Sequence, residues 1–435
     1  MGGLRKIVVV AILLLSLVLK LHNYAVFPQR GATSDEYTYS FLGISLLKNH
    51  IPISWSNFPA YKHRFDLTIN KLYFPMVYPY FDHPPLNGLI VGGWSILLGQ
   101  DSFLKVDLRT IRLVPIFLSL ISSFFVFLLG YRLYSYKTAI FALLIYSAST
   151  VFTMNGRVVF AENLLTPLLL SSLYFFVSFA KNLNIKKILI LGVLSGLAVL
   201  TKELGIVVFF TLFSFFVQQT IRLKHTLILI GLSLFFAGLY IAYGIYYDKD
   251  LFWQIIFLQS GRDIGPQTII NLITVPIIVN KVFYEGWYYF GFLSLFLSFL
   301  DFRKNKFIIV PSIIYLLLLV SSMTQHGESG WYMIPLFPFM ALASANMIVE
   351  DLKKKGWYIF VLLLLVGVQE IKLLYEANFG LTSMQFRIQL IIMFIPLLIL
   401  FILKKEKLFS LLGNIWFYLL IFGTILITYN YIHPS

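Results

Sequence analysis

Asp35 and Glu36 stand side by side in SDEYTYS, a few residues beyond the first long apolar run and at the start of a stretch with helical spacing, Asp35–Leu47. Backbone N–H groups at a helix N-terminus hold a carboxylate ionised, which suits a base or a metal ligand. The plain alternative is a helix capped by Ser34 or Asp35 beside a solvated neighbour. Glu162 lies in GRVVFAENLLTP between two apolar runs, with Arg157 five residues before it. An ionisable group at a membrane boundary is costly unless it is paired or functional, so the choice is a Glu162–Arg157 salt bridge or a second acid facing Asp35. In GLAVLTKELGIV the ammonium of Lys202 suits a lipid phosphate, and the alternatives are snorkelling or a pair with Glu203. Asp82 and His83 precede two prolines in YFDHPPLNG and offer ligands for a cation or a sugar hydroxyl, or simply a Pro-Pro turn that sets a helix angle. His326, Glu328, Trp331 and Tyr332 in TQHGESGWYMIPLFP combine sugar-binding types with those of an interfacial aromatic belt. With no cysteine, the chemistry rests on carboxylates, His, Lys, Arg and Tyr.

The elements that position these residues are membrane helices. Of 435 residues, 59% are apolar and 12% charged, and the mean hydropathy of +0.84 excludes the soluble class. Apolar runs recur from Ile7 to Ile427 without a polar stretch long enough for a separate soluble domain, so residues 1–435 read as one membrane-embedded unit of all-α class. Residues 4–27 begin with Arg5 and Lys6, run largely apolar through Phe27 and lack a small-residue cleavage site after it, which predicts a retained first span with a cytoplasmic N-terminus.

Basic clusters separate the runs: Arg132/Lys137, Lys181/Lys186/Lys187, Arg222/Lys224, Arg303/Lys304/Lys306, Lys353/Lys354/Lys355 and Lys404/Lys405/Lys407. The positive-inside rule makes them cytoplasmic only if the run Leu86–Leu98 does not cross. As a helix that run covers about 20 Å, less than the ~30 Å hydrocarbon core, so it reads as interfacial or re-entrant. Thirteen spans result, at 4–27, 112–131, 138–154, 163–180, 188–200, 204–218, 226–246, 276–299, 307–323, 332–349, 357–374, 387–403 and 409–430. The cytoplasmic side then holds 18 of 34 basic residues and four of 19 acids, net +14 of the chain's +15. The excess charge is thus topological and asks for no nucleic acid. Fifteen acids lie on the outer side, where chemistry is expected.

The first outer segment, 28–112, holds seven of the 16 prolines and many aromatics, with Asp35–Leu47 predicted as a helix lying along the interface. A second large outer segment, 247–275, contains Arg262, Asp263 and Pro266. The topology puts Asp35 and Glu162 on one face, able to converge across the bundle for general-base or cation-assisted transfer. Lys281 and Glu285, four residues apart in the eighth predicted span, fit a pair on one helix face.

In this order the motifs resemble the multi-spanning glycosyltransferases of the GT-C superfamily, and within it the protein O-mannosyltransferases and the aminoarabinose transferases of lipid A. The resemblance rests on SDEYTYS, HPPL, GR with Glu162 five residues later before LLTP, GLAVLTKE and WYMIPLFPF, spread over most of the first 350 residues. It implies a polyprenyl- or dolichyl-phosphate sugar as donor and transfer, with inversion, to a protein or lipid acceptor outside the cytoplasm, at the plasma membrane. Asp35 matches the family's catalytic acid, and Glu162 matches a second acid that is more commonly aspartate. Lys202 matches the position that steadies the departing phosphate, and Arg262 is a candidate to assist it. Glu36, Asp82, His83, His326, Glu328 and Tyr332 are the candidate substrate contacts. The resemblance implies no required cofactor, although the ligand types of Asp82, His83 and Glu36 leave room for a divalent cation. Two competing classes share parts of this pattern: a lipid or glycan flippase, which predicts charges in mid-span, and a polymerase or ligase of lipid-linked glycans. No internal repeat of the kind found in transporters is visible.

Overall fold

The computed structural model describes residues 2–180, 182–261, 266–322, 330–354, 356–380 and 382–434. Helices dominate. The first apolar run forms α1 (Gly3–Leu21), and the outer segment that follows contains α2 (Asp35–Asn49), a small sheet of β1 (Ser54–Trp55), β2 (Arg64–Ile69) and β3 (Leu72–Val77), then α3 (Leu86–Leu97) and the single turn α4 (Leu108–Ile111). The bundle continues through α5 (Leu113–Leu133), α6 (Tyr136–Ala148), α7 (Thr150–Asn155), α8 (Ala161–Phe179), α9 (Ile185–Thr201) and α10 (Ile206–Gln218). Next come α11 (Leu223–Ser260), α12 (Pro266–Thr274), a two-strand hairpin of β4 (Ile277–Ile278) and β5 (Lys281–Val282), α13 (Gly286–Leu297) and α14 (Phe302–Val320). The chain ends with α15 (Phe337–Lys354), α16 (Tyr358–Leu362), a π turn at Leu363–Gly367, α17 (Val368–Phe379), α18 (Ser383–Ile402) and α19 (Glu406–Tyr429).

A helix occupies each of the thirteen segments expected to be apolar spans. Among the described residues six helical stretches, Leu108–Leu133, Ala161–Phe179, Leu223–Ser260, Gly330–Lys354, Ser383–Ile402 and Glu406–Tyr429, are long and apolar enough to cross a bilayer by length and composition. The protein is a multi-pass membrane protein. The bundle is built around α6, α8 and α15: Phe141, Leu165, Leu170, Phe339 and Leu342 are fully sequestered in its main core cluster. By contrast α18 exposes Ile388, Ile391, Ile392, Ile395 and Ile399, as a helix bathed in lipid does.

Three local structures depart from the sequence reading. First, α2 is not an amphipathic helix with one wet face: Glu36 through Ser45 are all buried. Its closest partner is α3, reached through glycine. A Cβ at Gly43 would stand 1.8 Å from the carbonyl oxygen of Gly88, so only hydrogen lets the two backbones meet. Second, the outer segment contains a sheet. Asn70 and Lys71, both at positive φ, make the two-residue turn that folds β2 onto β3 in antiparallel register Ile69↔Leu72 to Arg64↔Val77. Third, the expected span at 276–299 starts later. Its first residues form the β4–β5 hairpin, and α13 begins only at Gly286, so Lys281 and Glu285 are not a pair on one helix face.

The second outer segment is also more ordered than a loop. Extended backbone at Asp248 (φ −166°, ψ 100°) breaks α11 in two, and the Asp248 carboxylate accepts from Leu251 N (3.0 Å), capping the second half. That half runs to Ser260 and packs Phe252 and Ile255 with Tyr61, Tyr80 and Phe81 of the first outer segment.

Candidate active site

The N-terminus of α2, the start of α8 and the turn after α9 bring the two candidate acids and the candidate lysine into one electrostatic group. Ser34 precedes α2 without a side-chain cap bond; instead Asp35 N donates to Thr33 Oγ1 (3.2 Å). This leaves the Asp35 carboxylate uncommitted to capping. Asp35 is half-buried, and desolvation first, then the charges of Glu162 and Glu36, push its carboxyl up to about 6 against the opposing pull of Lys202. A carboxylate placed there is ionised at neutral pH and basic enough to accept a proton.

Glu162 opens α8 and is 1% exposed, and Lys202 ends α9. They form a buried ion pair. Neither plain alternative from the sequence holds, because Glu162 does not pair with Arg157, nor Lys202 with Glu203 alone. Arg157 instead donates from Nη1 to the carbonyl of His22 (2.8 Å). The Lys202 ammonium also lies 4.4 Å from the ring centroid of Tyr332, a cation–π contact that the positions 130 residues apart do not reveal. Glu203 has charge coupling to Lys202 as well.

Glu36 is turned away from the group by structure. Arg112, the last residue before α5, grips it with Nε to Oε1 (2.8 Å) and Nη2 to Oε2 (2.7 Å) while Nη1 holds the carbonyl of Tyr24 (2.6 Å). Both side chains are buried. The fork-to-fork geometry makes Glu36 an anchor for α2. From sequence Arg112 reads only as a span boundary; the pairing of Glu36 with a residue 76 positions away carries no local signal.

Asp82 accepts from Tyr61 Oη (2.6 Å), and the phenol in turn accepts from Phe81 N (2.9 Å). Desolvation pushes the Asp82 carboxyl up to about 7, although hydrogen bonds from Ser56 and Tyr61 work the other way. His83 stacks on Tyr39 at 5.5 Å between ring centroids, and Pro85 precedes the first turn of α3, so the Pro-Pro turn does set that helix. His83, Lys202, Glu203, Gln259, Ser260 and Tyr332 line a cleft of about 290 Å³. Gln259 and Ser260 come from the second half of α11, and Gln259 Nε2 reaches the Asp82 carbonyl (2.7 Å). Nothing in the sequence singled them out. Trp331, next to Tyr332 in the chain, stacks on Phe160 at 4.6 Å.

Arg262, His326 and Glu328 lie outside the described residues. Among the described residues no three His, Asp or Glu side chains converge closely enough to hold a metal ion. The arrangement that does exist is a half-buried carboxylate near a carboxylate-bound ammonium, opening on a cleft with hydroxyl, amide and imidazole donors. It is suited to taking a proton from one group while steadying negative charge on another.

A family model described as dolichyl-phosphate-mannose-protein mannosyltransferase matches residues 82–242, less than half of the chain. No curated protein matches the chain. Among solved structures, ArnT from Cupriavidus metallidurans bound to undecaprenyl phosphate is 11% identical, with 99% of this chain and 77% of that chain covered at a TM-score of 0.61. The archaeal oligosaccharyltransferase AglB from Archaeoglobus fulgidus, in complex with an inhibitory peptide and a dolichol-phosphate, is 12% identical at a TM-score of 0.55. That alignment covers all of this chain but 56% of AglB, so the chain spans little more than half the length of that relative. What is shared at such identities is architecture, and by that measure the chain is built on the fold of the GT-C glycosyltransferase superfamily.

Proposed function

We propose that the protein is an inverting glycosyltransferase that moves a single sugar from a polyprenyl- or dolichyl-phosphate donor to a protein or lipid hydroxyl on the extracytoplasmic face of the plasma membrane. The observation that carries this reading is the Asp35–Glu162–Lys202 group beside the cleft of about 290 Å³. The undecaprenyl phosphate bound to ArnT and the dolichol-phosphate bound to AglB, proteins of the same fold, support the donor class.

In this mechanism the Asp35 carboxylate accepts the acceptor hydroxyl's proton as that oxygen attacks the anomeric carbon from the face opposite the phosphate. The bond between the anomeric carbon and the phosphate oxygen breaks, and lipid phosphate leaves with the electron pair. Lys202 faces the charge that develops on the phosphate, where an ammonium in a desolvated site lowers the barrier most. Glu162 fixes the ammonium in place, and Arg262 is assigned to the phosphate as well. His83, Asp82 and Tyr332 contact the sugar, with His326 and Glu328 on the acceptor side. The reading requires no cofactor.

The test is incubation of the detergent-solubilised full chain with a panel of radiolabelled polyprenyl-phosphate sugars, with and without membrane acceptor, monitoring free polyprenyl phosphate. Acceptor-dependent release from one donor, lost by a factor of about 10²–10⁴ in Asp35→Asn, is expected. Binding of the lipid without consumption of any donor would overturn the reading in favour of a flippase.

A further inference from the structure

We infer that Arg157 and Lys20, backed by Arg112, enclose a binding site for a small monovalent anion of the halide class, separate from the catalytic cleft. Arg157 sits in the turn between α7 and α8 and is 1% exposed. One of its guanidinium nitrogens is satisfied by the His22 carbonyl, while Nε and Nη2 are buried with no hydrogen-bond partner. Lys20, in the last turn of α1, is equally sequestered, with Ser16 Oγ at 2.9 Å and the Tyr146 ring centroid at 5.9 Å. Among the described residues neither cation is in an ion pair. Lys20 and Arg157 repel each other, and Arg112 repels Arg157.

The nearby carboxylate cannot offset this. Both oxygens of Glu36 are taken by Arg112. The remaining neighbours on Arg157 are Tyr431 and His433, and His433 is pushed down to about 4 by burial and by Lys281, Arg157 and Arg112, so its imidazole is neutral at physiological pH. The enclosure therefore holds more cations than anions, together with two guanidinium nitrogens that have no hydrogen-bond partner. An unpaired charge in a desolvated interior is among the most costly features a fold can keep. A water molecule would satisfy the N–H groups and leave the excess charge; an anion answers both demands. All three cations are sealed from solvent, at 0–1% exposure, which favours a small monatomic ion over a phosphate ester.

The experiment uses the full chain in detergent, with chloride replaced by gluconate at constant ionic strength and the melting temperature followed. A saturable rise with chloride is expected, because a ligand bound only by the folded state stabilises it in proportion to the logarithm of its concentration above Kd. Arg157→Gln should flatten that dependence, whereas Lys62→Gln at the exposed outer surface should retain it. A flat curve for the unsubstituted protein, or an unchanged slope in Arg157→Gln, overturns the proposal. Should Arg157→Gln fail to fold, crystals of the unsubstituted protein grown in bromide decide the matter. Anomalous density within hydrogen-bonding reach of Arg157 Nε and Nη2 supports the site, and its absence there refutes it.

Discussion

Asp35 and Glu36 are adjacent in sequence and employed in opposite ways, one half-buried in the electrostatic group with Glu162 and Lys202 and the other locked in a buried fork with Arg112. Removing one partner of such a pair strands a charge, so Glu36→Gln and Arg112→Met should each destabilise the fold by about 3–5 kcal/mol, measured by thermal or denaturant unfolding. Asp35 predicts a pH profile instead. A base must be ionised, and its carboxyl sits at about 6, so the transfer rate should fall as pH drops through 6 and level off above 7. A profile flat from 5 to 8 would rule out Asp35 as the base. Asp82 has a signature in stability. Its folded carboxyl, pushed up to about 7, lies above its unfolded value, so the stabilisation tied to its protonated form is full below about 4 and is lost as pH rises through 7. Asp82→Asn can still accept from Tyr61, and should therefore melt higher than the native chain at pH 8 with the difference vanishing near pH 4. That the acids and Lys202 share one rim was legible in the sequence, because the basic clusters set the topology. Their pairing was not, since choosing Lys202 over Arg157 for Glu162 depends on how α8 and α9 pack and which way the 156–160 turn faces.

At the scale of elements, the helices were readable and the decorations were not. Long apolar runs can only be helices in a bilayer, and every one of the thirteen segments is helical over much of its described length, two of them, 138–154 and 357–374, as more than one α-helix. The hairpin of β2 and β3 hid because its turn is Asn70-Lys71 rather than the familiar Asn-Gly, and because Pro75 sits in β3, where a proline argues against a strand. The delayed start of α13 hid for a different reason: the hairpin residues Ile277, Ile278 and Val282 are as apolar as the helix that follows. Contact between α2 and α3 through Gly43 and Gly88 fixes the helix that carries Asp35. Gly43→Ala should cost about 1–3 kcal/mol of stability by forcing the two backbones apart, and should lower transfer beyond what the loss of folded protein explains. Unchanged activity per folded molecule would separate this packing from the placement of Asp35.

For the whole molecule, the charge count predicts orientation, and the native chain has no cysteine to confuse a labelling experiment. A membrane-impermeant maleimide should label Lys62→Cys, between β1 and β2, in intact cells, and Lys405→Cys, between α18 and α19, only after permeabilisation. The reverse result would turn the molecule over and put the cleft in the cytoplasm. The break at Asp248 bears on how that cleft works. The first half of α11 lies along α9, where Leu232 and Phe236 fill the space beside Gly192 and Gly196, and α9 ends at Lys202. The second half carries Ile256, Gln259 and Ser260 over the same cleft. Floor and ceiling thus hang from one pair of helices, as the two jaws of a caliper hang from one beam. The bend at Asp248 brings the second half across, and its packing on Tyr61, Tyr80 and Phe81 with the Gln259–Asp82 hydrogen bond holds it there, so widening the cleft means loosening that seam.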